Sequence, residues 1–222
     1  MVRERTIETL SERKPYSSPL REAEAAATRA RIVDAAGMLF IRDGYGATPM
    51  RAIAAEAGVS VQTVNLHGPK HALLRAAYDR ALVQSEGWTD FNDTEPIRAI
   101  VAETDMGRLL DRYVVYMAGA HARIADIVRT VRAAADADPA AREVYREIEE
   151  RRLYSIRMGM EMMAARGVIE RDRVEDTATM LGLLVSNDTY LHFRDAGWSP
   201  ERYQAWLRGQ LMALVAAGGA SS

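Results

Sequence analysis

The most informative spacing in the chain lies between Ile53 and Val64, in the run IAAEAGVSVQTV. Ala54 stands four residues before Gly58, and Val64 stands six after it. Two short helices that cross closely need a small residue at the approach and a Gly where the turn takes positive φ. They also need a branched apolar residue to anchor the second helix. The run supplies all three, and Ser60 is placed to cap the second helix. Ile53, Ala57 and Val59 are then free to fill the small core between the helices. The chemistry such a unit serves is non-covalent: side chains turned away from Val64 can meet base edges in a major groove. Gln62 carries an amide suited to adenine, and Thr63 carries a hydroxyl and a methyl suited to a thymine edge. Thr48, read as the cap of the first helix with Pro49 behind it, can donate to a phosphate through its hydroxyl and nearby amides. Plain capping is the alternative for Thr48, and both can hold at once. Arg51 is read as a phosphate partner, with a solvated surface arginine as the alternative.

Other chemistries find less support. His67 and His71 are four apart, but Gly68 and Pro69 fall between them and break the helix, so a shared metal-binding face is lost. The absence of cysteine excludes a disulfide framework, a thiolate metal site and a cysteine nucleophile together. No GxGxxG, P-loop, HExxH or GxSxG pattern occurs, and Asp188 with His192 one turn away does not assemble a catalytic set. An enzyme is therefore not expected, and neither a cofactor nor a metal is. Arg3, Arg5, Arg13 and Lys14 could reach a neighbouring minor groove, although Glu4, Glu8 and Glu12 dilute their charge. A tail without a role is the competing reading of that segment.

The elements that must position these residues read as helices throughout. Apolar residues make up 48% of the chain, enough for a real core, while abundant Ala and Arg and short β-branched runs favour helix over strand. Residues 1–20 are expected to form a flexible arm, with Ser18 and Pro19 opening the first helix. Ile32, Ala35, Ala36, Leu39 and Phe40 recur at helical spacing as far as Gly44. A second helix ends at Gly58, a third runs to about His67, and Leu73, Leu74, Ala77, Tyr78, Ala81 and Leu82 mark a fourth. The polar stretch from Glu86 to Pro96 reads as a connection. Beyond it, helices are expected near 96–104, 106–120, 122–135 and 139–166. Asp172 and Glu175, spaced as a capping box, open another to about Asp195, and Ser199 with Pro200 opens the last. No stretch reaches the ~20 uninterrupted apolar residues that span a bilayer, and the first residues lack the apolar core of a secretory signal. A cytoplasmic location without membrane partners is expected. Residues 1–70 carry 10 Lys+Arg against 8 Asp+Glu, whereas the remaining 152 carry 19 against 23. That asymmetry is mild, so the motif and not the charge carries the case for a nucleic-acid footprint.

Residues 28–74 resemble the DNA-binding domain of the TetR family of transcriptional regulators. The matching positions are Ala35–Ala36, Leu39–Phe40, Gly44–Tyr45, Thr48, Ile53–Ala54, Ala57–Gly58–Val59–Ser60, Thr63–Val64, Lys70 and Leu73–Leu74. The segment Asn65–Leu66–His67–Gly68–Pro69–Lys70 departs from the family pattern by lacking two aromatics and one residue. The resemblance implies an all-α chain: a helix-turn-helix domain over 21–68, then a helical-bundle ligand-binding and dimerisation domain over 69–222. It places Val61, Gln62, Thr63, Asn65 and Leu66 at the groove, with core packing an equal alternative for Leu66. It also places His67 near the phosphate backbone and makes Lys70 a phosphate contact.

For the second domain the resemblance implies a pocket for a small-molecule effector. Tyr113, Tyr116, Met117 and His121 lie at helical spacing and Met158, Met162 and Met163 form a cluster. Of these, Tyr113, Tyr116, Met117, His121, Met158 and Met162 are the candidate pocket residues, with Trp88 and Phe91 nearby. Ordinary core packing is the competing reading of each. Leu181, Leu183, Leu184 and Val185 are too many for one core-facing stripe, and the last helix is similar. The resemblance implies a homodimer through these two helices, with two recognition helices on a near-palindromic operator in double-stranded DNA. The expected function is a ligand-responsive repressor. An activator, or a helical interaction module that has lost DNA binding, are the alternatives.

Overall fold

The computed structural model describes residues 19–83 and 90–218. Among the described residues ten α-helices follow in order: α1 Pro19–Asp43, α2 Met50–Ala57, α3 Val61–Leu66, α4 Lys70–Val83, α5 Glu95–Val101, α6 Met106–Ala137, α7 Pro139–Ala165, α8 Val174–Leu184, α9 Asn187–Asp195 and α10 Pro200–Gly218. No strand occurs among the described residues, as the all-α reading requires. The arm read over residues 1–20, the cap at Ser18 and Trp88 lie outside the described residues, apart from the first two residues of α1.

The hydrophobic stripe of α1 packs on α2 and α4, burying Ile32, Val33, Ala36, Leu39 and Phe40 against Ile53, Val64, Leu73 and Leu74. Gly37 sits where α1 crosses α4, and a Cβ there would stand 3.2 Å from the Ala77 Cβ, so the close crossing depends on its absence. This core continues without a break into Ala120, Ile124, Ile127 and Val131 of α6 and Val144 and Ile148 of α7. A second core joins α5, the first half of α6, the end of α7, α8 and α10 through Ile97, Leu110, Val114, Met163, Leu181, Leu207 and Leu211. Helix α4 therefore belongs to both halves of the molecule, packing on α1 as well as on α6 and α7. Among the described residues no helix is long and apolar enough to cross a membrane.

Three expectations about the helices need correction. The two helices read at 106–120 and 122–135 are one, α6. Gly119 costs only about 1 kcal/mol in a helix interior, less than the burial of Ala118, Ala120, His121 and Ile124 around it returns. Conversely, the single helix read from 172 to 195 is two. A 3₁₀ turn over Arg171–Arg173 precedes α8, and no side chain caps α8, so Asp172 and Glu175 form no capping box. The chain then breaks after Leu184, and the Ser186 hydroxyl accepts from the Thr189 amide at 3.0 Å to start α9. The helix read at 96–104 ends earlier, at Val101.

Candidate nucleic-acid interface

The turn between α2 and α3 is built from local residues. Gly58 takes the left-handed conformation at φ 67°, and the Val59 amide donates back to the Ala54 carbonyl at 3.0 Å, closing α2. The Ser60 hydroxyl accepts from the Thr63 amide at 3.0 Å and so caps α3. Val64, fully buried, pins α3 to α1 and α2. With that face fixed, Val61, Gln62, Asn65 and Leu66 are left exposed, Leu66 at 80%. Leu66 is therefore not a core residue. Thr63 is half-buried and shares a hydrogen bond with the Ser60 hydroxyl at 2.8 Å. Arg51 is exposed on α2.

The shortened turn after α3 closes through Gly68, at φ 119°. Its amide donates to the Asn65 carbonyl at 3.2 Å, and Pro69 then leads directly into α4. The half-buried His67 ends α3, and its carbonyl accepts from Arg29 Nη1 of α1 at 3.2 Å. Lys70, at the start of α4, lays its ammonium 4.3 Å from the centre of the Tyr45 ring and within 3.4 Å of the Gly46 carbonyl. Partial burial holds its pKa below the usual lysine value.

Thr48 is the exception among the expected contacts. It is 1% exposed, and Pro49, not Thr48, occupies the cap position of α2. The Thr48 hydroxyl lies 2.8 Å from the Gly44 carbonyl and 3.3 Å from that of Leu39, so its proton is committed to the end of α1 and is turned away from any phosphate.

The second half of the molecule holds a mainly apolar cavity of about 150 Å³ among α4, α5, α6, α7, α8, α9 and α10. Of the six residues expected to line a pocket, Tyr113, Met117 and His121 do so. Tyr116 does not; it is half-buried with its ring beside that of Phe91. Met158 and Met162 are also off the cavity, and Met160 and Met163 take their place. The wall that α7 presents is Ile148, Arg152, Ser155, Gly159 and Met163, recurring every three or four residues, and that phase was readable in the sequence. Asn92 and Asn187, also in the lining, carried no sequence signal that would have selected them. Burial pushes the His121 imidazole down to about 4, so it is neutral; the nearby Val185 carbonyl opposes that shift only in part. Arg152 is matched by Glu149, at 2.9 Å, and donates to the Gly182 carbonyl at 3.0 Å. Asp188, read with His192 as a pair, instead meets Arg132 of α6.

Residues 32–77 match the family model of bacterial regulatory proteins of the tetR family. A solved structure from Mesorhizobium loti, described as a TetR-family transcriptional regulator, superposes with a TM-score of 0.70 at 23% identity, covering 88% of this chain and 98% of that one. A Rhodococcus protein described in the same way gives 0.66 at 18% identity, over 86% and 99%. A transcriptional regulator of Saccharomonospora viridis, solved in complex with choline, gives 0.61 at 21% identity, over 83% and 95%. A search of curated protein sequences gives no match.

Proposed function

We propose, from the premise that this chain is a DNA-binding transcriptional regulator of the tetR family, that it is a repressor which binds a near-palindromic operator as a homodimer and releases it when a small effector fills the cavity. The observation that carries the DNA contact is the exposed face of α3. Gln62, Asn65 and Leu66 stand in solvent on a helix whose opposite side is locked by Val64. Arg51, Lys70 and the backbone around His67 flank that face and supply the phosphate contacts. Closure of the shortened turn by Gly68 favours a working helix-turn-helix over a module that has lost DNA binding.

Dimerisation is supported by an apolar face left exposed among the described residues. Met180 and Leu183 of α8 are 53% and 70% exposed, and Met212 of α10, which packs on α8, is 41% exposed. Leu153 of α7 extends the face, since it lies against Gly182 and is itself half exposed. A two-fold axis through this face would set the two α3 helices on successive major grooves.

The effector response follows from α4. Its Tyr78 and Leu82 line the cavity, while its first residue, Lys70, lies at the end of α3. A rigid helix of 14 residues, about 20 Å long, therefore joins the two sites. A ligand that fits only one setting of α4 changes the spacing of the α3 helices and so lowers operator affinity, and the coupling is reciprocal.

The test is fluorescence anisotropy on an operator selected from random DNA, over a salt series, with Lys70→Ala and Gln62→Ala. Tight binding with a steep salt slope is expected. Lys70→Ala should weaken all sequences and reduce the slope by about one, while Gln62→Ala should relax preference at one base. Weak binding that ignores sequence and both substitutions would replace the regulator reading with that of an interaction module.

A further inference from the structure

The six residues of α3, Val61 to Leu66, include no charged side chain. With Val64 buried, Val61, Gln62, Asn65 and Leu66 share the opposite face, since positions i, i+1, i+4 and i+5 fall within about 140° around a helix. They form two columns one turn long, Val61 with Asn65 and Gln62 with Leu66, so each amide stands beside an apolar group. Val61 is 42% exposed and Leu66 80%, the most exposed large apolar side chain among the described residues. Thr63 lies beyond the edge of this face; it is half-buried and its hydroxyl is engaged with Ser60.

An amide beside an apolar group matches one kind of base pair. In the major groove adenine offers an acceptor and a donor side by side, which one amide satisfies with two bonds, and its thymine partner offers a methyl to an apolar side chain. Guanine offers two adjacent acceptors, best met by Arg or Lys, and cytosine a donor, best met by Asp or Glu. None of those four residue types occurs on α3. The cations around it are placed elsewhere. Arg51 belongs to α2, the helix that crosses the phosphate backbone in this motif. Lys70 lies over the Tyr45 ring and within reach of the Gly46 carbonyl. Arg29 is held at the His67 carbonyl, and His67 itself is half-buried. A helix of six residues is about 9 Å long, which spans about three base pairs at 3.4 Å each.

We infer that α3 reads a block of about three consecutive A·T pairs in each half-site, with Gln62 and Asn65 on adenine edges and Val61 and Leu66 on thymine methyls. This inference rests on the regulator reading. Its test starts from the operator that the full chain selects out of random DNA, with affinities measured by fluorescence anisotropy. The half-site should contain such a block, and replacing its pairs one at a time by G·C should weaken binding about tenfold. Replacing thymine by deoxyuridine deletes only the methyl, and should weaken the wild type about fourfold at each contacted position. Leu66→Ala changes a side chain exposed enough to leave the fold untouched. It should bind the thymine operator more weakly and lose the discrimination against deoxyuridine at one position. Gln62→Ala should likewise lose the preference for A·T over G·C at one pair. Arg51→Ala should lower the salt slope by about one without altering the block. A selected half-site without such a block, or deoxyuridine bound as tightly as thymine throughout, would overturn the inference. So would a Leu66→Ala protein that still discriminates the two bases at every position, or an Arg51→Ala protein that selects different bases within the block. The regulator reading survives each of these results, whereas a selection that yields no consensus overturns both.

Discussion

The Tyr45 hydroxyl donates to Asp138 Oδ2 at 3.1 Å, tying the turn before α2 to the turn between α6 and α7, 93 residues along the chain. Asp138 does two things at once. Its Oδ1 caps α7 by accepting from the Ala140 amide at 2.8 Å, and its other oxygen receives Tyr45. The amide first and the phenol second hold its carboxyl below the usual range. Lys70 lies over the same Tyr45 ring. One aromatic side chain thus touches the start of α4, the approach to α2 and the far end of α6, whose middle carries His121 in the cavity wall.

Tyr45→Phe keeps the ring beneath Lys70 and removes only the link to Asp138, so it should cost about 1 kcal/mol in denaturant unfolding. Asp138→Ala should cost more, because it also strips the cap of α7. The double variant should be little worse than Asp138→Ala alone, since both remove the same bond. Full additivity of the two single effects would show that the bond does not form in solution.

Thr48 separates a structural hydroxyl from a DNA contact. Thr48→Val should lower stability by about 1–2 kcal/mol, because buried carbonyls at the end of α1 lose their donor. The salt slope of DNA binding should not change, and Thr48→Ser should restore most of the lost stability. A slope reduced by about one, with stability unaltered, would instead return Thr48 to the phosphate backbone.

The contrast between Thr48 and Ser60 indicates how far the sequence could be read. Both precede a helix and both have the right chemistry for a cap. The Ser60 hydroxyl meets the Thr63 amide of the helix it opens, whereas α2 begins one residue later than a Thr48 cap requires, with Pro49 in the cap position and the Thr48 hydroxyl turned back to Gly44. The helix-turn-helix was legible because Gly58, Ser60 and Val64 act within a few residues of one another. The cavity was less so. Which methionines of α7 face inward depends on how that helix is rotated against α6 and α8, and tertiary packing selected Met160 and Met163 over Met158 and Met162. The break that creates α9 was missed because the Ser186 cap follows an unbroken apolar run, and that same break places Asn187 in the cavity.

The apolar face on α8 gives a prediction about assembly. Leu183→Glu places a charge where 70% of the side chain is already exposed within one chain, so the fold should lose less than about 0.5 kcal/mol. A proposed dimer should nevertheless dissociate, read as a halved mass in sedimentation equilibrium. Operator affinity should fall with it, because one α3 helix then binds without its partner. Wild-type protein that sediments as a monomer, or a variant that remains dimeric, would remove this face from the interface.

His121 sets a pH dependence whose sign follows from its burial. The imidazole titrates near its ordinary 6.5 in the unfolded chain but near 4 when folded, because burial penalises the charged form and Arg152 adds to that penalty. The unfolded state therefore binds a proton that the folded state refuses over this window. The stability associated with a neutral His121 is complete above pH 6.5 and is lost as pH falls towards 4, at about 1.4 kcal/mol per pH unit between those limits. The interval from about pH 6 to 5 is the cleanest place to look, since it lies above the ordinary range of the carboxylates. His121→Phe should flatten the stability curve there while leaving its shape below pH 4.5, where carboxylates dominate. A wild-type curve already flat between pH 6 and 5, or a slope that survives His121→Phe, would mean that the ring is hydrated in solution.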